Sequence, residues 1–167
     1  MLKSLLDPCS MIRVQTWEGQ SVAAATVERA LDVASLQESG TIVSGRTDIV
    51  AIGPADWLVI ATDPDAADLA QRLNAALAGS SCRATNVSQS LARFEIDGPE
   101  TRELLSKGCS LDLHASRFAP GDSARTRFAD MPVILRCVGD STFECIVTLS
   151  FREYLVSWLT DAAVGFS

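Results

Sequence analysis

The chain has 167 residues, of which 47% are apolar. That is enough to bury one substantial core and short for two comfortable independent domains, so we expect a single domain over residues 1–167. Fourteen Lys and Arg against twenty-one Asp and Glu give a net charge of −7. This charge disfavours nucleic acid as a partner, because phosphate backbones attract positive surfaces.

The first eight residues carry only a few apolar side chains before Asp7 and Pro8. This run is shorter than the core of a signal peptide or a spanning helix, so the sequence predicts a cytoplasmic protein with no membrane partner. The five cysteines are odd in number and form no C-x-x-C pair, which favours neither a disulfide framework nor a zinc site. His114 is the only histidine and is interpreted as a loop residue, so no metal site is predicted.

In chain order, the first half predicts a strand over 12–17, a helix over about 23–34 and a hairpin of strands 48–52 and 57–61. A second helix should begin at Asp63 and Pro64, a cap followed by the helical position that best tolerates proline. Its apolar stripe consists of Leu69, Ala70, Leu73, Ala76 and Leu77, with Gly79 just past its end.

The second half repeats this pattern. Alternating apolar residues predict a strand over 91–96, a helix follows from Pro99 to about Gly108, and a hairpin joins 133–138 to 142–148. Ser150 and Glu153 have the spacing of a capping box and predict the start of a last helix. Its apolar stripe would contain Phe151, Tyr154, Leu155, Trp158, Leu159 and Ala162.

An offset of 86 residues superposes the two halves without a gap, placing Gly53 on Gly139 and Trp57 on Phe143. The predicted fold class is therefore α+β: two pseudo-repeated strand-helix-hairpin-helix units, about 10–80 and 90–163, packed as one domain with an antiparallel-rich sheet. The alternative, that two amphipathic hairpin-helix segments were slid into register by chance, stays open.

Motifs for common catalytic and cofactor sites are absent from the sequence. It contains no G-x-G-x-x-G after a strand, no P-loop and no G-x-S-x-G elbow. A histidine-dependent nucleophile would have to use His114 with Ser110, Ser116 or Cys109, and such close neighbours are typical of a polar loop. We therefore predict no catalytic residue and no cofactor-binding residue in this chain.

Five short motifs follow one another in a characteristic order: Gly-Pro-Ala-Asp-Trp-Leu at 53–58, Asn-Val-Ser at 86–88, Ile-Asp-Gly-Pro at 96–99, Lys-Gly-Cys-Ser-Leu-Asp-Leu at 107–113 and Ser-Phe-Arg-Glu-Tyr-Leu at 150–155. In this order, over about residues 45–162, the chain resembles the sarcosine oxidase gamma-subunit family. It departs from that pattern at Asn86, where an aspartate is common, and at Leu149, where an arginine is common.

The resemblance implies a non-catalytic subunit of a heterotetrameric complex that oxidises N-methyl amines such as sarcosine and passes the one-carbon unit to tetrahydrofolate. Alpha, beta and delta subunits would be its partners, and FAD, FMN, NAD and tetrahydrofolate would be bound by the complex, not by this chain. The family is related in fold to the folate-binding domain of aminomethyltransferases. The segment that holds their catalytic acid is shortened here, and Asp130, the only acid nearby, is expected in a tight turn.

The segment from Gly108 to Ala124 is long for an ordinary connection, so we expect it to lie against a partner. Candidate interface residues are Leu111, Leu113, Arg117, Phe118, Arg125 and Arg127. The alternative is that the apolar members fold back on the chain's own core. For the whole chain, the alternatives are a stand-alone folate-binding aminomethyltransferase-like protein and a self-associating regulatory domain.

Overall fold

The computed structural model describes residues 2–6, 9–17, 20–33, 35–36, 40–44, 47–61 and 66–166. The chain divides into two compact units. The first unit is Pro8–Gln89, and the second unit combines Met1–Asp7 with Ser90–Ser167. Each unit holds a five-stranded sheet. The expectation of one domain over residues 1–167 stays a prediction.

The described residues contain ten strands and four α-helices. In chain order they are β1 (Leu2–Leu5), β2 (Ser10–Thr16), α1 (Gln20–Leu31), β3 (Thr41–Ser44), β4 (Thr47–Gly53), β5 (Asp56–Ala61), α2 (Ala66–Ala76), β6 (Cys82–Asn86), β7 (Leu91–Asp97), α3 (Thr101–Ser106), β8 (Ser123–Phe128), β9 (Met131–Cys137), β10 (Thr142–Thr148) and α4 (Arg152–Ala163). Short 3₁₀ turns at Leu149–Phe151 and Val164–Phe166 flank α4.

The first unit forms an antiparallel sheet in the order β3-β4-β5-β2-β6. Alternate residues of its central strands, such as Ile12 and Val59, point to one face and form a core with helical residues such as Leu73. The predicted hairpin of β4 and β5 is confirmed, with Pro54 and Ala55 as its turn. Ala55 takes a positive φ of 53°, the sign that a type II turn with proline at its first central position requires at the second.

The second unit forms an antiparallel sheet in the order β1-β7-β10-β9-β8. Its core has the same construction: one face of the sheet packs with residues of α3 and α4. The predicted strand over 91–96 and the predicted hairpin of β9 and β10 are confirmed. The fully buried core members include Ile96, Leu104, Leu105, Phe128, Leu135, Phe143, Leu155 and Leu159.

The two sheets have corresponding strand orders. Read from one edge, β6-β2-β5-β4-β3 in the first unit matches β1-β7-β10-β9-β8 in the second unit, and α1 and α2 occupy the chain positions of α3 and α4. The fifth strand differs in origin, because β6 follows α2 directly whereas β1 precedes the whole first unit. The structure confirms an α+β fold with antiparallel sheets, while the repeat in the sequence stays a prediction.

Several details differ from the sequence predictions. Strands β1, β3, β6 and β8 were not predicted, and α3 is shorter than expected. The predicted cap at Asp63 and Pro64 lies outside the described residues. The capping box at Ser150 is wrong: Ser150 lies inside a 3₁₀ turn, the cap position of α4 is Phe151, and no side chain caps that helix.

Candidate functional site

The predicted interface segment, residues 108–124, lies in the second unit. It covers most of the sixteen residues 107–122 between α3 and β8 and the first two residues of β8. The prediction is wrong for Leu113 and Phe118, which are buried in the core of their own unit with 3% and 5% exposure. The Phe118 ring stacks on Phe143 with 6.3 Å between ring centroids. Leu111 is half-buried against the same core. The apolar residues of the segment therefore fold inward, which was the alternative interpretation.

The three candidate arginines are exposed. Arg125 and Arg127 lie on one face of β8, the last strand of its sheet, opposite Ile134 and Pro132 of β9. Arg117 lies in the 107–122 segment. The structure therefore brings Arg125 and Arg127 together on β8 and places Arg117 in the loop that precedes this strand.

Arg102 of α3 holds the segment in place. Its Nη1 donates to the carbonyl oxygens of Leu113 at 2.6 Å and Phe118 at 2.9 Å, and its Nε donates to the carbonyl oxygen of Asp140 at 3.2 Å. Its guanidinium also lies 4.9 Å from the centroid of the Phe143 ring. One side chain thus connects α3, the segment and the β9–β10 hairpin, which suits the planar fork of an arginine and no other residue type.

The outward side of the segment is a hydrogen-bonded polar cluster. The Asp112 carboxylate accepts from the backbone N–H of His114 at 3.0 Å, and His114 Nδ1 lies 2.8 Å from Ser116 Oγ. The His114 carbonyl oxygen accepts from the N–H groups of Arg117 and Phe118, at 2.8 and 2.9 Å. The loop reading of His114 is therefore confirmed, and its chemistry here is local hydrogen bonding.

A buried charge cluster lies on the other face of the second unit's sheet. Both carboxylate oxygens of Glu144 accept from arginines: Oε1 from Arg93 Nε, and Oε2 from Arg136 Nη1 at 2.7 Å. Glu144 and Arg136 are each 3% exposed. Because both oxygens are engaged, this carboxylate is suited to joining β7, β9 and β10 and poorly suited to moving protons.

Asp130 sits at the tip of the β8–β9 hairpin. Phe128 pairs with Met131, so Ala129 and Asp130 form a two-residue turn in which both have positive φ, 47° and 65°. The predicted turn is confirmed. The Asp130 side chain is 97% exposed and pairs with Arg127 at 3.2 Å. An acid in this position cannot be desolvated beside a bound pterin without a partner that covers it.

The cysteines are all free. Burial raises the pKa of the Cys145 thiol to about 12, and burial also raises the pKa of Cys137, although Arg102 opposes the shift. Such thiols are protonated and inert at neutral pH. Within the described part of the chain, no group of three or more metal-ligating side chains is found, and no helix is long and apolar enough to cross a membrane.

Sequence reasoning missed Arg102 and the Glu144 cluster. A signal existed for the cluster: Arg136 is a single charge inside the apolar run of β9, and such a charge needs a buried partner. No comparable signal existed for Arg102, because its partners are backbone carbonyl oxygens, which every residue type carries.

The sequence and the fold of this chain are both similar to those of known proteins. The model of the sarcosine oxidase, gamma subunit family matches residues 18–165. The sarcosine oxidase subunit gamma of Arthrobacter sp. is 30% identical over 149 residues, which cover 88% of this chain and 72% of that protein. A chain of heterotetrameric sarcosine oxidase from Corynebacterium sp. U-96, solved in complex with pyrrole 2-carboxylate, superposes with a TM-score of 0.85 at 26% identity, covering 99% of this chain and 84% of that chain.

A more distant similarity concerns the fold alone. The glycine cleavage system aminomethyltransferase T of Bartonella henselae superposes with a TM-score of 0.65 at 13% identity. The match covers 94% of this chain and 44% of that protein. The fold is therefore shared with aminomethyltransferases, and at this identity the activity does not follow from it.

Proposed function

Since the chain belongs to the sarcosine oxidase gamma-subunit family, we propose that it is a structural, non-catalytic subunit of a heterotetrameric sarcosine oxidase-like complex. The complex would oxidatively demethylate N-methyl amines. The observation that carries the proposal is the superposition of 99% of this chain on a chain of the Corynebacterium complex. The aminomethyltransferase likeness concerns only the fold, so it does not support a stand-alone transferase.

The partners in this proposal are the alpha, beta and delta subunits of the complex, in a cytoplasmic location. These subunits would carry FAD, FMN, NAD and tetrahydrofolate, and this chain would bind none of them. Two features support the absence of chemistry here. Asp130 is held at an exposed hairpin tip, and both oxygens of the Glu144 carboxylate are engaged by arginines.

The surface that contacts the partners would include Leu111, Arg117, Arg125 and Arg127, with Leu113 and Phe118 supporting it from the core. Arginine is enriched at the energetic centres of protein interfaces, because its planar fork binds carboxylates through two hydrogen bonds. The 107–122 segment is a long connection without regular structure, and such loops usually carry function.

A tagged pull-down from the native cell tests the proposal. We expect flavin-containing subunits to co-purify in constant ratio, and an untagged strain provides the control. Recovery of the chain alone, or only as copies of itself, would contradict the proposal and favour a self-associating domain.

The purified chain tests the assignment of the cofactors. It should show no flavin absorbance and no heat of binding with flavin, NAD or tetrahydrofolate. Folate binding at low-micromolar concentration would instead indicate an active transferase-like module.

A further inference from the structure

Arg102 makes its contacts without an acidic partner. Its described hydrogen bonds go to three carbonyl oxygens and to Cys137 Sγ at 3.5 Å, and its plane covers the Phe143 ring. In the described part of the chain no Asp or Glu forms an ion pair with it. The donors of this guanidinium therefore fix the path of the backbone and do not neutralise a charge.

The backbone that Arg102 fixes is the part of the segment that carries Arg117. The two bonded carbonyls belong to Leu113 and Phe118, which bracket residues 114–117. Within the bracket, the His114 carbonyl oxygen accepts the Arg117 N–H at 2.8 Å. Arg102 therefore fixes the backbone before Arg117, at Leu113, and after it, at Phe118.

The Arg117 side chain itself is weakly engaged. It is 74% exposed, and its described ion pair, Nε to Asp112 Oδ2, is 3.9 Å long, which exceeds hydrogen-bond distance. An exposed pair of this length contributes little to stability. Its guanidinium is therefore available to a ligand, and a carboxylate is the group that matches the fork with two parallel hydrogen bonds.

We infer that Arg117 binds a carboxylate presented by another subunit of the complex, and that Arg102 is the positioning residue for this contact. The inference rests on the proposed function. A flexible loop would lose conformational freedom on binding, whereas the bonds from Arg102 have ordered residues 113–118 before the partner arrives. Arg102 does not touch the partner in this arrangement and acts through Arg117.

A double-mutant cycle tests the inference. The variants Arg117→Ala, Arg102→Met and their combination are titrated into the remaining subunits, which are co-expressed without this chain. Arg72→Ala is the matched control, because Arg72 is an exposed arginine with an ion pair to Asp68 in the first unit. We expect each single variant to weaken binding at least tenfold, the double variant to be no weaker than Arg117→Ala, and the control to bind normally.

Two further measurements separate positioning from general stability. Amide exchange at Phe118 should become faster in Arg102→Met and stay unchanged in Arg117→Ala, while circular dichroism shows that both are folded. If Arg102→Met does not fold, Arg102→Lys replaces it, since a lysine cannot reach the carbonyls of both Leu113 and Phe118 and that of Asp140 at once. The surface test on Arg117 does not depend on either variant.

The outcomes are distinct. Wild-type binding of Arg117→Ala would overturn the carboxylate contact, and additive losses in the double variant would overturn the positioning role. A wild-type chain that does not bind the remaining subunits would count against the proposed function instead.

Discussion

The two units build the same strand order and differ in how each places its charged residues. In the first unit, Arg13 and Asp56 form a two-pronged ion pair, with 2.9 Å between Nε and Oδ1 and 2.5 Å between Nη2 and Oδ2, and the Arg13 side chain is 35% exposed. In the second unit, Glu144 binds two arginines that are 15% and 4% exposed. One sheet pattern thus tolerates a charge pair near water and a charge cluster in the interior.

The connections after the first helix of each unit differ in length, with nine residues between α1 and β3 and sixteen between α3 and β8. In the second unit the sixteen-residue connection from α3 to β8 is packed by Leu113 and Phe118 and fixed by Arg102. Each sheet must bury one apolar face, and connections of many lengths and conformations allow that burial. A connection that is held in one conformation by additional contacts, such as those of Arg102, is therefore a better candidate for function.

The largest difference between the units should appear on removing the carboxylates. Glu144→Gln leaves two largely buried guanidinium groups without their shared carboxylate and should lower the free energy of unfolding by about 3–5 kcal/mol. Asp56→Asn should cost about 1–2 kcal/mol, because the half-exposed Arg13 can be hydrated. Urea unfolding of both variants measures the difference, and equal losses would show that the burial of the Glu144 cluster does not make its carboxylate more important than that of Asp56.

Helix packing provides the second comparison. The 86-residue offset pairs Leu69 of α2 with Leu155 of α4, yet Leu155 is fully buried and Leu69 only half-buried. Leu155→Ala should cost about 2–5 kcal/mol and Leu69→Ala about 1 kcal/mol, since a cavity forms only where the surroundings are closed. If the two losses in thermal or urea unfolding agree within error, α2 is packed more tightly than its exposure indicates.

The cysteine thiols of the two units should react at different rates. Cys9 and Cys82 of the first unit are half-buried, whereas Cys109, Cys137 and Cys145 of the second unit are buried. A disulfide reagent at pH 8 should therefore label at most two thiols quickly and all five after denaturation. Rapid labelling of a Cys9→Ser/Cys82→Ser variant would show that the second unit opens readily.

The same thiols give a pH dependence. The pKa of Cys145 is raised from 9.0 to about 12 in the folded chain by burial, so the unfolded chain loses this proton first. The contribution of Cys145 to stability is complete below pH 9.0 and is lost as the pH rises toward about 12. Cys145→Ala should flatten the fall in melting temperature over this range, and an unchanged slope would exclude Cys145 as its source.

The smallest effect is expected at the start of α4. Ser150 is exposed and does not cap the helix, so Ser150→Ala should change the free energy of unfolding by no more than about 0.5 kcal/mol. A decrease in the free energy of unfolding of about 1 kcal/mol, measured by thermal unfolding, would instead support the capping box that the sequence predicts.

Strands with a strong apolar alternation were predictable from the sequence. Ala92, Phe94 and Ile96 defined β7, and turn residues defined both hairpins. Strand β8 was missed because Ala124 and Thr126, two of its inward-facing residues, are small, and β6 because Ala84 is its one buried residue. Local patterns identify a strand only when burial on one face is nearly continuous.

The candidate site was less predictable, because its order comes from contacts between distant segments. Leu113 and Phe118 are apolar residues in a long loop, and the sequence alone does not distinguish a loop that packs inward from one that binds a partner. The deciding contact is made by Arg102 with carbonyl oxygens eleven and sixteen positions away. The amino-acid sequence alone does not predict hydrogen bonds from a side chain to such distant backbone carbonyl oxygens.

Strand β1 has a consequence for how the chain is made. Leu2 pairs with Asp97, so β1 leaves the ribosome long before its neighbour β7 exists. At about 5–20 residues per second, the delay is roughly 5–20 s. All five strands of the first unit lie within residues 10–86, so that sheet can form during synthesis while β1 is still unpaired. Strand β1 is therefore synthesised before β7 and is among the last of these strands to find its place in a sheet.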